Sequence, residues 1–178
     1  ENCINLGEIN VSDVSTDPYV AGFTTGATSY TKCINAGNVT GASYLDSSDG
    51  AASGTVAGFD ASDSASFTDC INLGDISANS YTADDEKNHS TDKVYGFSSI
   101  ENNKPSFMNC IDAGSANYPF TGVVGNTTGT YVTSYYNSDS YGSSYNADYA
   151  KTSDELCQLT DSDLANWSYD SSRYPLPK

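Results

Sequence analysis

The sequence predicts an all-β fold: a parallel β-helix, or solenoid, of about four to five coils closed by a small helical C-terminal cap. Three recurrences predict it. The word Cys-Ile-Asn/Asp-x-Gly occurs at Cys3–Gly7, Cys33–Gly37, Cys70–Gly74 and Cys110–Gly114, at spacings of 30, 37 and 40 residues. Between these copies stands an apolar word with a central glycine, at Val20–Phe23, Val56–Phe59, Val94–Phe97 and, as a variant, Phe120–Val123. An aromatic residue, Tyr30, Phe67 or Phe107, lies three positions before the next cysteine. Three strand segments per repeat, turn residues between them and no helical periodicity favour a coil of parallel strands. A meander of antiparallel hairpins is the rival, because repetition alone leaves strand direction open.

Each copy of the cysteine word reads as a short strand bent at its glycine, with a β-branched residue (Ile9, Val39, Ile76) two positions after the first three glycines. Stacked in register about 4.8 Å apart, identical words place Cys over Cys and Phe over Phe. An offset of three puts the aromatic and the cysteine on opposite faces of a flat strand, so a bend or bulge is required between them. In the fifth unit Val132 and Tyr135-Tyr136-Asn137 are read as the counterparts of the aromatic residue and of Cys-Ile-Asn.

The distance from each Val-x-Gly-Phe glycine to the next cysteine position is nearly constant, whereas the other half of the repeat varies. Variable insertions in a solenoid gather on one edge, so 41–54 and 79–93 are expected to be neighbouring loops. Residues 1–142 form the repeats and 143–178 the cap, within one domain. In the cap, Thr152-Ser-Asp-Glu155 carries a capping box and Thr160-Asp-Ser-Asp163 a weaker one. Two short helices with Leu156, Leu159 and Leu164 turned inward are expected, then an extended finish through Trp167 and Tyr174–Pro177, the whole closing the last coil.

Composition sets the limits. Leu, Ile, Val and Phe make up only about 16% of the chain and the net charge is −16, which by itself is a signature of disorder. The repeats overrule that prior, because stacked units share a narrow interior that Tyr, Cys and Ala can fill. The basic residues are scattered, which argues against nucleic acid and anionic membranes. No stretch has the length of a membrane span and no charged-then-apolar start marks a signal peptide, as expected of a mature protein or an excised fragment. Acidity with abundant Ser, Thr, Asn and Gly fits an extracellular or cell-surface protein.

These words, Cys-Ile-Asn-x-Gly-x-Ile/Val, Val-Ala-Gly-Phe, Ser134-Tyr-Tyr-Asn137, the Thr-Ser-Asp-Glu-Leu helix start and the final Tyr-Pro-Leu, resemble the GLUG-type repeats of bacterial cell-surface proteins. That group includes adhesins and the non-catalytic regions of IgA-protease-like proteins. The family's second word is commonly Gly-Gly-Ile-Val-Gly, richer in glycine than Val-Ala-Gly-Phe. The resemblance implies an extracellular β-helical stalk or binding module, and it brings no catalytic residues.

Candidate sites follow from residue type. Cys3, Cys33, Cys70 and Cys110 are expected to form an interior ladder of free thiols, since parallel in-register Cβ vectors suit a disulfide poorly and no metal-ligand spacing occurs. Cys157 is expected to be buried on a cap helix. The asparagine two positions after each cysteine is expected to ladder at a turn, Asp112 being a variation of it. Asp46 with Asp49, the run Asp84, Asp85 and Glu86, and Asn137 with Asp139 are loop oxygens able to hold calcium, the one cofactor considered. None fits a twelve-residue calcium loop, and a solvated acidic face is the simpler reading. Tyr141, Tyr145 and Tyr149 are candidates for stacking on sugars, and Asp46 and Asp49 are candidate binding residues on an edge made of the two long acidic loops.

Catalysis finds no motif: the lone His89 lies in a polar run, and no nucleophile elbow, zinc motif or phosphate loop is present. The expectation is therefore a non-enzymatic adhesion or stalk module. A structural subunit that self-assembles end to end is the second reading, and a polysaccharide-cleaving enzyme the third. Partners are expected through an open N-terminal edge, namely other copies or an upstream solenoid, and through glycans or a host surface protein. Nucleic acid and membrane insertion are not expected.

Overall fold

In a computed structural model, the residues described are 1–11, 19–26, 29–42, 44–45, 52–53, 55–61, 65–79, 81–82, 88–89, 93–99, 105–121, 130–142 and 145–178. The fold is mostly β, built from stacked parallel sheets in a β-helix-like arrangement. Each of the first repeats contributes one strand to each of four sheets, one more than the three segments expected, because the glycine of the cysteine word splits it into two strands. The amide sheet contains Ile4–Asn5, Ile34–Asn35, Ile71–Asn72, Ile111–Asp112, Tyr135–Asn137 and Ala150–Lys151 in that order. The branched sheet contains Ile9–Asn10, Val39–Ala42 and Ile76–Asn79, and the valine sheet Tyr19–Ala21, Thr55–Ala57 and Val94–Tyr95. The aromatic sheet contains Ser29–Thr31, Ser66–Thr68, Ser106–Met108 and Thr130–Val132. All of these pairings are parallel and in register, like residue upon like residue: Ile4, Ile34, Ile71 and Ile111; Val20, Val56 and Val94; Tyr30, Phe67 and Phe107.

Register converts the repeats into columns. Phe23, Phe59 and Phe97 stack at 5.0 and 4.6 Å between ring centroids, and Phe120 continues the column at 5.1 Å, tilted by 38°. Tyr30, Phe67, Phe107 and Tyr131 stack at 5.0, 5.1 and 5.1 Å. The two columns meet edge to face, as at Phe67–Phe97, 5.3 Å and 90°, the packing that ring quadrupoles favour. Cys33, Cys70 and Cys110 pack against these rings in the same cluster. Few large residues fill this interior because each ring serves two neighbours.

The bend that the offset of three requires is a left-handed residue in front of each cysteine position: Asn2, Lys32, Asp69, Asn109 and Thr133, with φ between 48° and 54°. Thr133 precedes Ser134, which corrects the fifth unit by one residue. Tyr131, not Val132, pairs with Phe107, and Tyr135 and Tyr136 pair with Ile111 and Asp112. Ser134 takes the cysteine's place, its Oγ donating to the Val132 carbonyl as the Cys110 Sγ donates to that of Met108. Periodic apolar letters Val132 and Tyr135 suggested the wrong register because the position that moved is the small one.

The tail also differs from expectation. Thr152 caps a helix over Ser153–Cys157, designated α2, with both halves of the capping box made by Glu155. A short helix α1, Ser138–Tyr141, precedes it and was not anticipated; Asn137 caps it. Thr160 to Asp163 is a turn closed by Asp163 on the Thr160 N–H and hydroxyl rather than a second helix. Trp167–Asp170 and Arg173–Pro177 form an antiparallel hairpin. Ala150–Lys151 extends the amide sheet past the last repeat. The rest of the tail lies along the side: Leu156, Leu159, Leu164 and Trp167 bury Ile71 and Ile111, and the Trp167 indole N–H donates to Asp69 at 3.4 Å. Cys157 is only half-buried. The variable segments 41–54 and 79–93 each contain an antiparallel pair, Tyr44–Leu45 with Ala52–Ser53 and Tyr81–Thr82 with Asn88–His89, growing from adjacent strands of the branched sheet.

Candidate functional site

The asparagines of the cysteine words form a ladder through the interior with a single direction. Asn5 Nδ2 donates to Asn35 Oδ1 at 2.8 Å, Asn35 Nδ2 to Asn72 Oδ1 at 2.8 Å, and Asn72 Nδ2 to Asp112 Oδ1 at 3.0 Å. Both glycines of the repeat make room for it. A Cβ on Gly22 would meet Asn35 Oδ1 at 2.8 Å and one on Gly58 would meet Asn72 Oδ1 at 2.9 Å, while one on Gly74 would collide with the Gly37 carbonyl and crowd Asn35 Nδ2. Side chains of this volume fit between two chain segments only where both segments lack one.

Asp112 ends the ladder for a chemical reason. It is wholly buried and accepts the Phe120 N–H at 2.7 Å and the Tyr141 hydroxyl at 3.1 Å besides Asn72. Three donors converge where an amide would have to present its own NH₂ to one of them, so an acceptor-only carboxylate fits. Burial pushes its pKa up to about 6, against the pull of these three donors. The substitution of Asp for Asn is thus the terminus of the ladder. The next position in the column is Tyr136, whose ring carries no amide.

At the opposite end the ladder emerges on a bare edge. Among the described residues, Ile4–Asn5, Ile9–Asn10, Tyr19–Ala21 and Ser29–Thr31 are paired on one side only. Ile4 is 58% exposed and Leu6 77%, and Cys3 is exposed. Cys33 and Cys70 beneath it are buried, and their thiols are pushed up, Cys33 first by its contact with Cys70 and Cys70 first by burial; they are therefore poor nucleophiles at neutral pH.

The tyrosines separate. Tyr141, expected to be exposed, is buried against the aromatic core with its hydroxyl committed to Asp112, and its pKa is driven well up by burial and then by that carboxylate; this removes it from a sugar-stacking set. Its place in the repeat-like run 131–149 hid this, because it faces inward only through the turn of α1. Tyr145 and Tyr149 are half-buried against the same core, Tyr145 donating to the Asn117 carbonyl at 2.7 Å. Asp46, Asp49, Asp84, Asp85 and Glu86 lie outside the described residues. Among the described residues no group of three or more His, Cys, Asp or Glu is placed to hold a metal ion, and no helix is long and apolar enough to cross a membrane.

Comparison with known proteins returned no match to this chain among family models, curated proteins or solved structures.

Proposed function

We propose that the chain is an extracellular, non-enzymatic β-solenoid of about four to five closed coils that acts as a cell-surface adhesion or stalk module. The observation that carries this reading is the difference between the two ends of the stack. At one end Ala150–Lys151 adds a further strand and Tyr145 and Tyr149 pack over the aromatic core, while the other presents strands paired on one side with Ile4 and Leu6 uncovered. A strand edge of this kind pairs readily with further β structure. The resemblance of its repeat words to GLUG-type surface repeats supports the location and the adhesive role, as does the acidic, Ser/Thr-rich composition. With the repeated residues engaged in core columns, ligand contact falls to the variable segments 41–54 and 79–93.

Replacing both segments by short Gly-Ser turns tests the reading. Binding to intact cells or to a glycan array is expected to be lost with the thermal midpoint retained. Unchanged binding, or release of reducing or unsaturated ends from polysaccharide by the intact protein, would overturn it. A second reading, a subunit that assembles into a filament or layer, draws on the same bare edge. Filaments with a regular axial repeat in electron micrographs of the purified chain would favour it.

A further inference from the structure

We infer that the bare edge is a polarised docking surface for one kind of partner: a solenoid rung that arrives parallel to Ile4–Asn5 and carries a primary-amide donor at the ladder position. The inference rests on the solenoid reading above and adds a direction and a chemistry to it. The Cys3 and Asn5 carbonyls accept the Ile34 and Ala36 N–H groups at 2.9 and 2.8 Å, so the Ile4 peptide groups between them face outward, by the alternation of a parallel strand. Asn5 spends its Nδ2 on Asn35 and keeps its Oδ1 for the edge, where that oxygen accepts the Gly7 N–H at 3.1 Å and retains a second lone pair. The edge thus offers an acceptor where every inner rung receives an amide N–H from the rung before it.

That direction is set three rungs away. Turning over the Asn5, Asn35 and Asn72 amides would bring Asn72 Oδ1 against the Asp112 carboxylate, acceptor against acceptor, and Asp112 cannot turn in response because it has no donor to offer when ionised. The same rule discriminates among occupants. Two copies meeting edge to edge would run antiparallel, and neither supplies a ladder donor, since each Asn5 Nδ2 is spent on its own Asn35. The opposite end of another copy offers Ala150 in the ladder column, which has no side-chain amide. A rung of the Cys-Ile-Asn type satisfies everything at once: its amide meets Asn5, its isoleucine covers Ile4 as Ile34 covers it from the other side, and its backbone pairs with the Ile4 peptide groups.

A tandem form of the protein tests this. A second copy of residues 33–69 is inserted immediately before Cys3, so that its last residue stands to Cys3 as Asp69 stands to Cys70, with the copied ladder residue either Asn or Asp. Alkylation of Cys3 by iodoacetamide is followed at pH 8 by peptide mapping, and folding of each form is checked by circular dichroism. The Asn insert is expected to slow Cys3 alkylation at least tenfold relative to the unmodified chain, and the Asp insert is not. Combining the Asp insert with Asp112→Asn is expected to restore protection, because the whole ladder can then reverse and end on the inserted carboxylate. This rescue reads out polarity even if the Asp insert alone unfolds. Equal protection by the two inserts, protection by neither, or failure of Asp112→Asn to restore it would overturn the inference, as would a stable edge-to-edge dimer of the unmodified chain in light scattering. None of these results depends on adhesion, so failure of the adhesive role would be read separately from failure of the docking chemistry.

Discussion

Cys3–Gly7 and Cys70–Gly74 are the same five residues, Cys-Ile-Asn-Leu-Gly, in two settings. Around Cys70 the word is closed on both sides by rungs and covered by the tail: Ile71 is fully buried against Ile111 and the Trp167 cluster, and Asn72 both receives and gives an amide hydrogen bond. Around Cys3 the identical residues are paired on one side, Ile4 is more than half exposed, and Asn5 lacks an incoming amide. Local sequence contributes the same strand and the same turn to both. The difference in burial and hydrogen bonding belongs entirely to neighbours, and it marks one copy as core and the other as edge.

The largest expected effect tests the burial half of that contrast. Ile71→Ala should cost about 4 kcal/mol, in the range for a fully buried isoleucine with a residual cavity, while Ile4→Ala should cost under about 1 kcal/mol. Urea melts of the two variants measure both, and equal losses would mean that the edge is covered in solution.

Next comes the charge at the end of the ladder, which the Cys70 word touches and the Cys3 word does not. Because the folded pKa of Asp112 is raised from 3.8 to about 6, its contribution to stability is fully present below about pH 4 and is lost as pH rises through about 6. The loss is at most about 3 kcal/mol. Relief of repulsion in a chain of net charge −16 acts in the same direction. The thermal midpoint should therefore climb on acidification from pH 7 to pH 5, and Asp112→Asn should flatten that climb. An unchanged slope in the variant would place the titration elsewhere.

Removing an amide compares the two words directly. Asn72→Ala leaves the buried Asn35 Nδ2 without its acceptor and takes one of three donors from the buried Asp112, for about 2–3 kcal/mol, whereas Asn5→Ala takes only the incoming donor from Asn35 Oδ1, for about 1 kcal/mol. Equal costs would argue against a continuous ladder. The smallest effect concerns the left-handed corner before each rung. Thr133 is β-branched at φ 48° where Asn2 and Asn109 occupy the same corner, so Thr133→Asn should raise stability by about 0.5–1 kcal/mol in the same melts.

Much of this was legible in the letters. Words that recur with constant aromatic-to-cysteine offsets predicted parallel rungs, stacked rings and a bend between ring and thiol. The capping box of Thr152 announced α2. What misled were places where one residue moved or a side chain turned. The fifth unit slipped by one because Ser134 replaced cysteine, and Tyr141 looked exposed because nothing in its neighbourhood shows that Asp112 waits for its hydroxyl. Thr160–Asp163 carries helix-start residues, yet its own carboxylate closes a turn first.

In the first four units the sequence by itself determined which residues share a column, since the repeated words and a two-residue side-chain alternation leave one in-register solution. Only the tertiary structure decided which copies of a column are buried, which way the amides point, and why one asparagine had to become Asp112. Those properties depend on contacts between segments tens of residues apart, and a hydrogen bond's direction is fixed by the partner at its far end, not by the residue that makes it.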